Sequence, residues 1–226
     1  MIPGGLSRRQ LFAAGSVALL GGCFDSPIVT KLPDAIRFAV LGVPDVPLQR
    51  AAIAKLPYAT ISAKIGRGPR SLLVLARIEH SNLHFLSADR VALVLRKGRL
   101  VRTAGLPESV RETRSAGADP VAGLHVLSGV GEHVRYLDLE PGGRYGVPVL
   151  STYERLGPEK ITVLEIEFDT IRVRERNRAL TLRWHFENEF WVDPADGFVW
   201  RSRQHMTRGL PAAEIDILKP AQIAPA

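Results

Sequence analysis

From Ala59 onward the chain switches repeatedly between apolar and polar residues with a period of two, and each run ends in turn-forming residues. A two-residue period puts successive side chains on opposite faces of a strand, whereas a helix needs a period near 3.6. The first run sets Ala59, Ile61, Ala63 and Ile65 against Tyr58, Thr60, Ser62 and Lys64, and GRGPR then turns the chain. SLLVLARIE from Ser71, LHFLS from Leu83, RVALVLRKG from Arg90 and LVRTAG from Leu100 follow at short spacing, and HVRYLDLE leads into the PGG of 141–143. Short strands at this spacing leave no room for crossover helices, so the expected fold is mainly β. It is a single antiparallel meander, a twisted sheet or half-barrel with a few short helices. One of these helices is expected after Pro47, where Leu48, Ile53 and Leu56 fall near one face. Residues 107–131 carry a weaker pattern, with one helical turn and a loop expected in PESVRETRSAG.

Later runs predict hairpins. In ITVLEIEFDTIRVRERNR, Leu164, Ile166 and Phe168 share one face while Ile171 and Val173 have the opposite parity. A tight turn at Asp169-Thr170 would reconcile them by setting Glu167 opposite Arg172 and Glu165 opposite Arg174. ALTLRWHF alternates from Leu180, and FWVDPADGFVWRSRQ reads as a hairpin turning at 194–197, with Phe198 and Trp200 facing inward and Arg201 and Arg203 outward.

The N-terminus reads as an address. Arg8 and Arg9 precede about ten apolar residues, too short for the ~20 of a membrane span, and Leu20-Gly21-Gly22-Cys23 ends them. That order is similar to a lipobox, so residues 1–22 are expected to be a lipoprotein signal peptide and Cys23 the lipidated residue. SRRQLF resembles a twin-arginine export motif, with Arg8 and Arg9 as its signal residues. Residues 23–35 read as a tether and 36–226 as one β-rich domain. Cys23 is the only cysteine, so no disulfide can hold the exported chain. A net charge of +7 without long runs of like charge points away from nucleic acid and toward anionic lipid or acidic polysaccharide.

The chain carries few signatures of chemistry. Among the six histidines, His80 and His84 have a zinc-like spacing but lie across a strand break with no third ligand, and read as surface residues. LSGVG around Ser128 lacks the leading glycine of a nucleophile elbow, and Gly66-x-Gly68 is followed by Pro69 and reads as a turn. No catalytic residue, metal site or cofactor is expected. Arg172, Arg174, Arg176 and Arg178 form an every-other-residue stripe able to contact polysaccharide or a partner, and Trp191 is a candidate for sugar stacking. Trp184 and Trp200 are expected in the core.

Five segments together resemble the YjbF/GfcB family of lipoproteins. They are LPYATISAKIGRGPRSLLVLA (56–76), SADRVALVLRKGRLVRTAGL (87–106), Asp119-Pro120, NEFWVDPADGFVWRSRQ (188–204) and Leu218-Lys219-Pro220, with Phe85 standing where a tryptophan is expected. The resemblance implies a noncatalytic accessory lipoprotein of capsule or exopolysaccharide production. It would be lipid-anchored on the periplasmic face of the outer membrane and work beside an outer-membrane β-barrel export partner. The alternatives are an enzyme acting on the polymer, through carboxylates such as Glu187 and Glu189, or a lipid or lipoprotein carrier, which would require a hollow half-barrel.

Overall fold

A computed structural model describes residues 48–128 and 131–222. Arg8, Arg9, Cys23 and the proposed signal and tether segments lie outside the described residues.

The expected antiparallel meander is the observed fold. A short helix α1 (Arg50–Ala54), which buries Ile53, precedes twelve strands: β1 (Thr60–Ile65), β2 (Arg70–Glu79), β3 (Asn82–Ser87), β4 (Ala92–Arg96), β5 (Arg99–Ala104), β6 (Ser109–Ser115), β7 (Glu132–Glu140), β8 (Arg144–Val163), β9 (Ile166–Ala179), β10 (Trp184–Val192), β11 (Val199–Gln204) and β12 (Ala213–Lys219). They form one sheet in the order β5-β4-β3-β2-β1-β12-β11-β10-β9-β8-β7-β6. β1 pairs antiparallel with β12, so the first and last strands of the sequence meet in mid-sheet. The two sheet ends, β5 and β6, are consecutive in sequence, and the sheet rolls into a nearly closed barrel.

Side chains seal the remaining seam. The Val110 N–H donates to Thr103 Oγ1 at 2.9 Å. Gln204, reaching across from β11, accepts from the Leu100 N–H at 2.9 Å and donates to the Gly98 carbonyl at 2.8 Å. The edge-strand N–H groups of Val110 and Leu100, which would cost free energy if buried unpaired, are thereby satisfied without a twelfth ladder.

Alternation sorts the residues as expected. Ile61, Ala63, Leu73, Phe85, Leu93, Leu137, Val149, Phe186 and Ile215 form the main interior cluster, and Tyr153, Ile171, Val173, Phe190, Val192 and Val199 join Val121 and Leu124 in a second. The latter two belong to a 3-10 segment (Pro120–Val126), whose N-terminus is capped by Asp119 through the Val121 N–H at 3.1 Å. PESVRETRSAG is not the expected helical turn and loop, because β6 runs through it. The exposed Arg111 and half-buried Glu112 at its bulge mask the strand pattern.

The β8–β9 hairpin departs from expectation. Its turn lies at Leu164-Glu165, with φ of 47° and 68°, and not at Asp169-Thr170. Glu167 pairs with Thr162, and Arg172 pairs with Gly157. The parity change between Phe168 and Ile171 is real, but it marks a strand that serves two cores. From Ala179 to Ile171, β9 turns its odd-numbered residues to the barrel interior, while the bulge at Arg155–Gly157 changes the face of β8. Below it, the hairpin tip packs its apolar residues on the outer face, where Ile161, Val163, Leu164 and Phe168 meet Trp191, Trp200 and Leu218. Trp200 is therefore not in the interior. A bulge between Trp191 and Val192 puts Val199 inside and turns Trp200 outward, where it stacks on Phe168 at 4.0 Å between ring centroids. Trp184 is buried in the main core as expected, although β10 begins at Trp184 and leaves Leu180 half exposed in the preceding turn.

Candidate functional site

Three features of the barrel could carry function: a charged cluster inside it, a charged band outside it, and a cleft at one end. The interior cluster centres on Glu175, which β9 points inward and which is fully buried. Glu175 Oε1 accepts from Arg99 Nη2 and Arg135 Nη1, both at 2.9 Å, and from the Tyr153 hydroxyl at 2.7 Å. Its Oε2 accepts from Asn188 Nδ2 at 2.6 Å. Arg99 also forms a two-point ion pair with Asp119, and Arg135 donates to Ser151 and, at 2.9 Å, to Asn177. The two guanidiniums and two carboxylates balance in charge.

Burial by itself would raise the Glu175 carboxyl; Arg135 and Arg99 overcome that and hold it well below the usual carboxylate range. Asp119 is lowered in the same way, burial being outweighed by Arg99, while burial pushes the Tyr153 hydroxyl up. Each charge faces its partner. The cluster's role is to join β5, β7, β8, β9 and β10 through the middle of the barrel and to fasten the 3-10 segment at Asp119. The linear sequence does not reveal it, because its members are scattered from residue 99 to residue 188. Its one local signal was an inward-parity glutamate, Glu175, within the arginine stripe.

The arginine stripe lies on the outer face of β9, between acidic rows on β8 and β10. Arg172 pairs with Glu189 at 2.6 Å and Glu159 at 3.2 Å. Arg174 and Arg176 share Glu154 and Glu187 at 2.9–3.8 Å. Arg178 is exposed and has no ion-pair partner among the described residues. Trp191 is 8% exposed, with the Arg172 guanidinium 5.3 Å from its ring centroid and its Nε1 donating to Glu159 at 3.0 Å. The structure thus brings Arg172 and Trp191 together under the hairpin tip and leaves Arg178 toward solvent. Glu187 and Glu189 share this convex face, each bound to arginine. Arg201 and Arg70 continue the band through Asp216 on β12.

His80 is exposed at the β2–β3 turn, as expected, whereas His84 is half-buried in β3 with Nε2 3.3 Å from Glu79. No group of three or more metal-ligating side chains occurs among the described residues.

A cleft of about 840 Å³ opens at the end of the barrel where the β2–β3, β4–β5 and β10–β11 turns gather. Its walls are mostly apolar, and Lys97, Lys219, His80 and Asp196 stand among the lining residues. The β4–β5 turn fits here only with glycine: Gly98 has φ +87°, and a Cβ there would lie 2.4 Å from Val199. A volume in the ~300–1,000 Å³ range suits a small molecule or one segment of a larger one.

Relatives agree with this architecture. The chain is 27% identical to the lipoprotein GfcB of Escherichia coli K12 over 214 residues, 94% of this chain and 99% of that one. It is 24% identical to the lipoprotein YjbF of the same organism over 215 residues, 90% and 94% of the two chains. The crystal structure of the hypothetical lipoprotein YmcC from Escherichia coli K12 superposes with a TM-score of 0.70 at 26% identity, covering 89% of this chain and all of that one. The family described as "Group 4 capsule polysaccharide lipoprotein gfcB, YjbF" matches residues 33–218. With the sealed seam, the Asp119-Pro120 cap and all of the meander but Lys219 inside that span, the chain belongs to the YjbF family of capsule polysaccharide lipoproteins.

Proposed function

We propose that the protein is a noncatalytic lipoprotein, anchored through Cys23 on the periplasmic face of the outer membrane, that assists production or export of a capsule or exopolysaccharide. The observation that carries this reading is the family match over residues 33–218. The distribution of carboxylates supports it. A glycosidase needs two carboxyl groups about 5–9.5 Å apart in a cleft, yet the cleft lining contains one carboxylate, Asp196. Glu187 and Glu189 sit on a convex face with their charges engaged by arginines. Acidic polymer would meet the outer band at Arg178, where positive charge is not already neutralised. An outer-membrane β-barrel export protein is the partner this role requires.

Deletion of the gene, with complementation, tests the reading. Loss of the gene should lower surface polysaccharide, measured by a uronic-acid assay on washed cells. Wild type and a Glu187→Gln/Glu189→Gln double variant should both restore it. Undiminished polymer after deletion would refute the role. Failure of the folded double variant to restore polymer would instead favour an enzyme using those carboxylates.

A further inference from the structure

The cleft at the barrel end is lined in part by core residues. Phe85 and Leu95 belong to the main interior cluster, Val199 to the second, and Leu83 and Ile217 pack against the first; all five line the cleft. An apolar passage between two cores is suited to a slender hydrocarbon more than to a hydrated sugar, because each buried methylene contributes roughly 0.8 kcal/mol and a polar ring would lose its water.

The lining also has a definite charge. Lys97, at the tip of the β4–β5 turn, is exposed and has no ion-pair partner among the described residues. Lys219 donates to the Leu56 carbonyl, which uses one of its three N–H groups. Asp196 is the single acid of the lining and accepts the Phe198 N–H at 2.8 Å. Lysines therefore outnumber acids where a head group would rest.

A lipidated Cys23 would tether the domain to a bilayer. The described chain starts at Leu48, eight residues before Leu56, whose carbonyl accepts from Lys219 of the lining, and Cys23 lies 25 residues before Leu48. An extended segment spans at most ~3.3–3.6 Å per residue, so a lipidated Cys23 keeps this end of the barrel within about 80–90 Å of the membrane. Val126 and Tyr58, at this end too, are 70% and 59% exposed.

We propose that the cleft binds one acyl chain of a membrane lipid with an anionic head group, the tail lying between the two core clusters and the head group against Lys97 and Lys219. This site is separate from the polysaccharide reading, which stands or falls on the deletion experiment. The test uses the full-length Cys23→Ser chain, which cannot be lipidated at residue 23, titrated with the fluorescent fatty acid cis-parinaric acid. Binding should saturate at one equivalent. Palmitoyl-lysophosphatidylglycerol should displace the probe about tenfold better than palmitoyl-lysophosphatidylcholine, the difference expected from a retained charge-assisted contact.

Ala122→Trp and, independently, Ala221→Trp fill the lining and should each weaken binding by about tenfold or more. Lys97→Glu should abolish the head-group preference while keeping the tail bound. Circular dichroism and the melting temperature identify which variants are folded. Three outcomes overturn the proposal: no saturable binding, binding unchanged in a folded tryptophan variant, or equal displacement by the two lysolipids. A fourth does so as well. Exclusion of the probe by lipidated wild type but not by Cys23→Ser would assign the cleft to the protein's own anchor.

Discussion

Glu175 is ionised with no access to solvent, and its charge persists because two arginines, a tyrosine and an asparagine all face it. Breaking such a set on one side leaves uncompensated buried charge, so Glu175→Gln should destabilise the protein by about 3–5 kcal/mol in urea unfolding at neutral pH. The pH dependence follows from the direction of the shifts. Glu175 and Asp119 are both depressed in the folded state, so their contribution is complete above the unfolded values of about 4.3 and 3.9 and fades as pH falls through the lower folded ones. Wild type should therefore lose stability steeply below about pH 4, and Glu175→Gln should show a flatter profile there. Parallel profiles would mean that Glu175 is not the group titrating. The outer pairs behave differently: Arg176 and Glu187 are both about half exposed, and replacing both by alanine should change stability by about 1 kcal/mol or less.

The β8–β9 hairpin is one element serving two cores, and its energetics divide at the Gly157 bulge. Trp191 is almost fully buried under the hairpin tip, so Trp191→Ala should cost about 3–5 kcal/mol. Trp200, half-buried against Phe168, should cost less, about 1–3 kcal/mol, in thermal unfolding of the same protein. The order reverses if Trp200 is the interior residue that its alternation suggested. The turn offers a gain in place of a loss. Glu165 holds φ +68° in a position that favours glycine, and Glu165→Gly should raise the melting temperature, with relief of up to about 1 kcal/mol. A lowered melting temperature would show that the side chain contributes more than its backbone strain costs.

For the whole molecule, the consequential step is attachment. Cys23→Ser should stop incorporation of labelled palmitate and leave precursor or soluble protein in place of the lipidated membrane form; label in the variant would refute Cys23 as the acylated residue. Replacing Arg8 and Arg9 together with lysine keeps the charge but removes the guanidinium forks a receptor would read. Export should then fail if the twin-arginine route is used, and normal export would assign the general secretory route.

Much of this architecture was legible in the sequence because a strand's two-residue period is a local property. Tyr58–Ile65, the 71–104 runs and the 188–204 hairpin follow from nearest neighbours, turn residues and the need to hide one face. Family membership was legible for a related reason, since its matching segments are contiguous. Where a period is broken, neighbours no longer suffice. The parity change at Phe168–Ile171 fits a tight turn or a strand that changes core, and the bulges at Gly157 and Trp200 decide for the second only because an outer face was there to receive the hairpin tip. The Glu175 cluster, the Gln204 seam and the cleft are decided by the rolling of the sheet. It sets β5 against β9 and β11 across the barrel, and brings together residues as far apart as Arg99 and Gln204 in a chain whose local pattern carries no record of that meeting.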